Sequence, residues 1–402
     1  MAAKQKKAIC LITPGHLASN PRLIKEAVKL DSEGFRIHLI FTQNVEELVK
    51  FDQKILADHP NWTSDCLNWT GTNIKSKINK IISGVIQRTV RNGTIFGLST
   101  SINRHFYWQL KRAKAFTADI YIAHNLGALP VAVLAAKKNA ALSGFDAEDF
   151  HRHESSDDIN DKDVKLKIAI EDKYFPLLNY FSHASPLIGE EYYSLYHKTG
   201  ITILNVFQKT TSLPQHNLGE PLKILWLSQT IGKGRGIELI IETLNGLPFS
   251  VEFHLIGKLE KNYLSVLKQL HPSHKLYLYG TVSEQQLFKI ASACDLGMAS
   301  EESKPLNRNI CLTNKLFIYI QSGLAVLASN TAAQQSFLKK FSTVGKLYNN
   351  KNELEEVLIN HQKNRAALYL TKKQNFDLGQ NELNWDIESK KFLNNLLSII
   401  NG

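Results

Sequence analysis

The chain has 402 residues, 43% of them hydrophobic, and a formal net charge of +11. It can bury one or two full cores, with two domains the better fit to its length, and its charge asks for an anionic partner: nucleic acid, anionic lipid or a nucleotide phosphate. Four cysteines without CxxC spacing exclude a disulfide or zinc framework and suit a reducing compartment.

Residues 1–13 hold too short an apolar run for a signal peptide, and no run approaches the roughly 20 residues that span a bilayer. The expectation is a cytoplasmic protein whose membrane contact, if any, is peripheral.

In chain order, Ala8–Thr13 reads as a buried strand. Pro14, Gly15 and His16 make a turn, and Asn20 caps a helix that has Pro21 at its first position and Leu23, Ala27 and Leu30 on its apolar face. Gly34 ends this helix before a strand over Phe35–Thr42. The loop from Pro14 to Asn20 thus opens at a strand's carboxyl end. It holds too little glycine for a dinucleotide fingerprint.

Residues 74–117 carry Lys75, Lys77, Lys80, Arg88, Arg91, Arg104, Lys111, Arg112 and Lys114 and no Asp or Glu, interleaved with Ile78, Ile81, Ile82, Val85, Phe106 and Trp108. Such a span either docks on an anionic membrane surface or grips a lipid-phosphate acceptor, or it is a solvated basic face over an ordinary core. No RNP, KH or GxxG-type element accompanies the charge, so nucleic acid is not expected.

Asp119–Asn125 is a strand ending in His124, followed by a helix over Leu126–Asn139. Leu142–Phe145 is the next strand and runs into Asp146, Glu148, Asp149, His151, His153 and Glu154. Ionisable groups at successive strand ends are well placed for chemistry. HxHE at His151–Glu154 lacks the helical spacing of a metal site, and no metal is expected. A helix over Lys165–Tyr180, a strand over His183–Leu187, a helix over Ile188–His197 and a strand over Ile201–Val206 complete the first half.

Gln208–Pro221 has the composition of a linker. A strand over Leu222–Leu227 then enters the glycine-rich turn SQTIGKGRG, where Lys233 and Arg235 flank Gly234 ahead of a helix over Ile237–Asn245. Flexible backbone with two cations at a helix N-terminus suits a diphosphate, and no Walker motif is present. Strands over Val251–Gly257 and Leu276–Tyr279 follow, with a helix capped by Ser283. Next come Cys294–Ala299 as a strand, a polar loop bearing Glu301 and Glu302, a helix Asn314–Ser322 capped by Asn314, and Leu324–Ser329 as a strand. Strict alternation makes each half a doubly wound parallel α/β domain. The predicted domains are 1–207, a linker 208–221, 222–375, and a terminal helix within 376–402 that crosses back to the first domain.

The ordered series PGHLASNPR, AHNLGALP, RGIELIIETL after SQTIGK, FHLIG, LYLYGTVSEQQL and CDLGMASEESKPLNRNICLTNKLFIYIQSGLAVLAS resembles the nucleotide-sugar glycosyltransferases of GT-B architecture, in particular the retaining family 4, also called glycosyl transferases group 1. That resemblance implies two facing Rossmann-like domains with a cleft between them. The implied activity is transfer of a sugar, with retention, from a nucleotide diphosphate donor on the second domain to a glycan or lipid-linked acceptor on the first, as in cell-surface polysaccharide synthesis.

Carried over by position, Lys233, Gly234 and Arg235 meet the donor diphosphate, as does the helix start Thr313, Asn314 and Lys315. Glu301 or Glu302 stands beside the donor sugar and His124 near the reacting centre. Gly15, His16, Asn20, Asp146 and Glu148 fall on the acceptor side. The nucleotide sugar is a substrate, and no cofactor is implied. Two positions depart from the pattern: Ile318 stands where a ribose-binding glutamate is usual, and Thr230 where an arginine is common. Ribose contacts would then fall to Asn307, Arg308 or Asn314. A nucleotide-sugar epimerase and a non-catalytic scaffold are the alternative readings.

Overall fold

The computed structural model describes residues 6–91, 97–217, 219, 221–270 and 272–402. The parts of the basic span and of the linker at 92–96, 218 and 220 lie outside the described residues. The chain divides into two compact units, Met1–Ile203 with Ser389–Gly402, and Leu204–Glu388.

The first unit holds seven parallel strands: β1 Ala8–Ile12, β2 Arg36–Gln43, β3 Thr63–Asn68, β4 Ile120–His124, β5 Leu142–Ala147, β6 Tyr180–His183 and β7 Ile201–Thr202. Their order is β3-β2-β1-β4-β5-β6-β7. Strand β1 is fully buried between β2 and β4, with Ile9 opposite both Ile37 and Ile120. Its unbroken apolar run is what a strand covered on both faces requires. The order reverses direction at β1 and β4, and the chain leaves the sheet there on opposite sides, opening a crevice at the strands' carboxyl ends.

The second unit holds β8 Leu222–Ile231, β9 Val251–Leu259, β10 Lys275–Leu278, β11 Leu296–Ala299, β12 Ala325–Ser329 and β13 Gly345–Tyr348, ordered β10-β9-β8-β11-β12-β13 and parallel throughout. Its reversal point lies between β8 and β11. The helix Arg365–Asn381 spans the expected boundary at 375 and is fastened to this sheet: Arg365 and Lys372 both pair with buried Asp295 at 3.0 Å, and Asn375 donates to the carbonyls of Leu324 and Val344.

Several element boundaries differ from the sequence expectation. The strand expected over His183–Leu187 lies at Tyr180–His183, because Pro186 starts a helix, Pro186–Tyr196, for which its fixed φ is preformed. The preceding helix ends at Tyr174 and gives way to a 3₁₀ turn containing Pro176. Thr313, not Asn314, occupies the cap position of the helix Asn314–Gln321, without a side-chain cap bond. Asn20 and Ser283 cap as expected, Asn20 accepting from the Leu23 amide and Ser283 forming a reciprocal box with Gln286. Among the described residues no helix is long and apolar enough to cross a membrane.

Candidate active site

In the first unit, the loops after β1, β4 and β5 enclose a cavity of about 270 Å³ at the reversal point of the sheet. It brings together Gly15, His16, Asn20, His124, Asp146 and Glu148, with Asn125, Asp149 and His151 also on its wall. Each predicted acceptor-side residue of this unit therefore reaches one cavity, though the side chains stand in different states.

His124 and Asp146 are register partners on β4 and β5, and Ser182 of β6 continues the row. Arg22, at the start of the helix Pro21–Ser32, grips Asp146 with two bonds: Nε donates to Oδ2 at 2.5 Å and Nη2 to Oδ1 at 2.8 Å. Its third nitrogen donates to the Ile203 carbonyl at 2.7 Å, and Ser182 Oγ donates to Asp146 Oδ1 at 2.6 Å. One turn along the same helix, Glu26 approaches His124 Nε2 to 3.3 Å, while His124 Nδ1 lies 3.5 Å from Asp146. The ring attracts both carboxylates without meeting hydrogen-bond geometry to either. Arg22, Glu26, His124 and Asp146 are all at most 1% exposed.

Burial alone would strip charge from this cluster, but the pairing outweighs it. Burial lowers the proton affinity of His124, yet Glu26 and Asp146 overcome it and raise the imidazole to about 9. Burial works against ionised Asp146, yet Arg22 and His124 hold its carboxyl far below the usual range. Glu26 is pushed up by burial and by Asp146, with His124 opposing. At neutral pH the cluster is two cations facing two acids, and His124 is an imidazolium: a donor, with no lone pair to act as a base. Burial also raises Glu148.

His16 is held by its surroundings. Its Nε2 accepts from the amides of Asn44 and Val45, both at 2.9 Å, which leaves the proton on Nδ1, donated to Asp52 at 2.6 Å. Neutral His16 thus shapes the loop wall. His151 bonds to Glu154 at 3.2 Å and His153 to the Ser156 carbonyl at 3.2 Å, so the HxHE residues face different partners.

In the second unit, β8 leads into the turn Gly232–Gly236, where Gly234 and Gly236 take φ of 69° and 75°, left-handed values that glycine adopts without strain. Trp226 Nε1 donates to Ser300 Oγ at 2.9 Å, and Ser300 Oγ donates to the Arg235 carbonyl at 3.0 Å, tying the turn to the end of β11. Lys233 is exposed and Arg235 half-buried. Among the described residues neither side chain has a carboxylate partner.

The two glutamates diverge. Glu301 is anchored by its amide to Ser329 Oγ at 2.8 Å, and its Oε1 meets Lys315 Nζ at 2.6 Å. Lys315 also donates to the Ser300 carbonyl at 3.0 Å and sits 5.4 Å above the Trp226 ring. Burial lowers the proton affinity of Lys315, Glu301 opposes, and Arg235 and Arg308 add repulsion. Lys315, Arg235 and Arg308 thus share one electrostatic neighbourhood. Glu302 instead faces outward to Arg308 at 2.6 Å, beside Gly234.

A second cavity of about 270 Å³ is lined by Gly236, Glu301, Glu302, Ser329, Asn330 and Tyr348 among others; Lys233, Gly234, Arg235 and Thr313–Lys315 do not line it. Thr313 is half-exposed and Asn314 exposed at the helix start. Ile318 is 4% exposed. Of the residues named for the ribose, Asn307 is buried with its Oδ1 2.9 Å from Cys311 Sγ, Arg308 is paired to Glu302, and Asn314 is open.

The helix Asn314–Gln321 is seated by Tyr319, whose ring covers Gly297. A Cβ there would lie 2.2 Å from the ring. The Tyr319 hydroxyl donates to the Met298 carbonyl at 3.0 Å and accepts from the Leu227 amide at 3.2 Å, linking β8 and β11.

Sequence reasoning missed Arg22 and Glu26. A signal existed: two charges four residues apart within the otherwise apolar Leu23, Ala27 and Leu30 face.

Neither a protein-family model nor a curated protein sequence matches the chain. Solved structures do. Sucrose-phosphate synthase from Thermosynechococcus elongatus superposes with a TM-score of 0.69 at 12% identity, covering 98% of this chain and 99% of that one. HepE of Anabaena, solved in complex with UDP-glucose, gives 0.67 at 12% identity over 97% and 99%. The lipopolysaccharide outer core galactosyltransferase WaaB gives 0.60 at 13% identity over 97% and 99%. At such identities the likeness is one of fold, and the chain has the fold of the GT-B glycosyltransferases over nearly its full length.

Proposed function

We propose that this protein is a glycosyltransferase that moves a sugar, with retention, from a nucleotide-diphosphate sugar held by the second unit to a glycan or lipid-linked acceptor held by the first, working at an anionic membrane surface as in cell-surface polysaccharide synthesis. The observation that carries this is the pair Lys233 and Arg235: two cations that have no carboxylate partner among the described residues, on a glycine turn fastened to the reversal point of a parallel sheet. A diphosphate leaving group develops negative charge as the glycosidic bond breaks, and preplaced cations stabilise that charge more than they stabilise the ground state. Lys233 and Arg235 supply it, with the amide end of the helix Asn314–Gln321 beside Lys315 adding a favourable dipole.

Glu301, fixed by Lys315 and Ser329, presents a carboxylate near which positive charge on the sugar ring is steadied. In the first unit, protonated His124 donates to a sugar hydroxyl and Asp146, committed to Arg22, serves as its counter-charge, while the acceptor hydroxyl's proton passes to the departing diphosphate oxygen. Asn314 takes the ribose contact that Ile318 cannot make. The protein's own cations are the charge-stabilising groups.

The test is turnover with a panel of nucleotide-diphosphate sugars against glycan and polyprenyl-phosphate acceptors. Arg235→Ala should lower turnover by about 100-fold or more with the circular dichroism spectrum unchanged. Unchanged turnover in this variant removes the assignment.

A further inference from the structure

The helix Ile74–Arg91 is mounted inside out. Its polar side faces the protein: Ser76 and Ser83 are 1% and 0% exposed, Asn79 donates to the Asn68 carbonyl at 2.8 Å, and Lys80 reaches back to the Thr70 carbonyl at 3.1 Å. Its apolar side faces outward. Ile74, Ile78, Ile81, Ile82 and Val85 are between 52% and 80% exposed. At helical spacing these five positions fall within an arc of about 100°, one continuous stripe. A helix that served only the core would be turned the other way, so the stripe asks for an occupant.

The charges beside the stripe say which occupant. Lys75, Lys77 and Arg88 are exposed along its edges, and no Asp or Glu occurs anywhere from 74 to 117. A second copy of the chain laid on this face would bring two basic rims together, whereas an anionic bilayer satisfies both features at once. Isoleucine and valine enter the acyl boundary, and the lysines and arginine reach the headgroup phosphates.

We infer that Ile74, Ile78, Ile81, Ile82 and Val85 form an insertion face by which the first unit docks on an anionic lipid surface, with Lys75, Lys77 and Arg88 as its headgroup contacts. The inference rests on the peripheral placement proposed above, but its test does not depend on sugar transfer, so either can fail alone. Docking of this kind puts the protein where a lipid-linked acceptor resides and raises that acceptor's local concentration.

The test is flotation of the full chain with phosphatidylcholine vesicles containing about one-third phosphatidylglycerol, against vesicles of phosphatidylcholine alone. The wild type should float with the anionic vesicles only, and less so as salt is raised. Ile78→Asp with Ile81→Asp should reduce binding roughly tenfold or more, because two side chains of the stripe can no longer enter the acyl region. Lys75→Glu with Lys77→Glu should reduce binding and flatten its salt dependence. All four positions are exposed, so the variants should keep the wild-type circular dichroism spectrum. Failure of the wild type to bind anionic vesicles overturns the inference. So does binding that the Ile78→Asp, Ile81→Asp variant retains, or a wild-type dimer that this variant converts to monomer without any vesicle binding.

Discussion

Lys315 Nζ lies 2.6 Å from Glu301 Oε1 and 3.0 Å from the Ser300 carbonyl, so the cation at the start of the site helix is turned inward, onto the end of β11. It holds the carboxylate in place, whereas Arg235 and Lys233 have no carboxylate partner among the described residues.

Removing one member of such a pair strands the other. Lys315→Met should destabilise the protein by about 3 kcal/mol in urea unfolding, because Glu301 loses its counter-charge in a largely buried position. Glu301→Gln should cost less, and its cost should shrink as pH rises toward the ordinary lysine range. Lys315 already binds its proton less tightly folded than unfolded, so stability from this group rises with pH as the unfolded state alone holds the proton. Without Glu301 that window widens. A pH-independent cost would contradict the pairing.

His124 makes the opposite contribution. Its proton affinity is raised from 6.5 to about 9 in the folded protein, chiefly because Glu26 and Asp146 outweigh burial. Its stabilising effect is complete below 6.5 and is lost as pH rises through about 9. The stability difference between wild type and His124→Asn should therefore fall by on the order of 2–3 kcal/mol across that range. Urea unfolding at several pH values measures it, and a flat difference would show that His124 is neutral in the cluster.

Gly297 admits the Tyr319 ring, and that contact seats the site helix. Gly297→Ala should cost about 2–3 kcal/mol, since the Cβ would overlap the ring and the ring cannot move without breaking two hydroxyl bonds. Tyr319→Phe should cost about 1–2 kcal/mol by leaving the Leu227 amide and the Met298 carbonyl short of a partner. If Gly297→Ala were neutral in thermal and urea unfolding, the helix would not be fixed by this contact.

Strands covered on both faces, such as Ala8–Ile12 and Ile120–His124, announce themselves as apolar runs, and the alternation of such runs with capped helices was enough to reach two parallel sheets. Of the four edge strands, Ile201–Thr202 and Lys275–Leu278 overlap strands expected from the sequence, whereas Thr63–Asn68 and Gly345–Tyr348 were not legible. Thr63–Asn68, TSDCLN, is half-exposed and polar, and its pairing comes from the neighbouring β2 rather than from its own pattern. The same division runs through the site. Glycine turns and the polar residues that follow strands mark the carboxyl edge of a sheet, so Gly15, His124, Asp146 and Arg235 could be singled out. The direction of a side chain depends on partners far along the chain: Asp146 is claimed by Arg22, 124 residues away, and Lys315 by Glu301. Local sequence carries no record of either choice.

The central claim, that the second unit binds a nucleotide-diphosphate sugar through the Lys233–Arg235 turn, is tested most directly by titration calorimetry of the wild type and Arg235→Ala with UDP-, GDP- and ADP-sugars. One of these should bind the wild type, with affinity lowered about tenfold or more in Arg235→Ala, as loss of a charged hydrogen bond of about 1.5–3 kcal/mol requires. Absence of binding to every nucleotide sugar, or equal affinity in the two proteins, would contradict it.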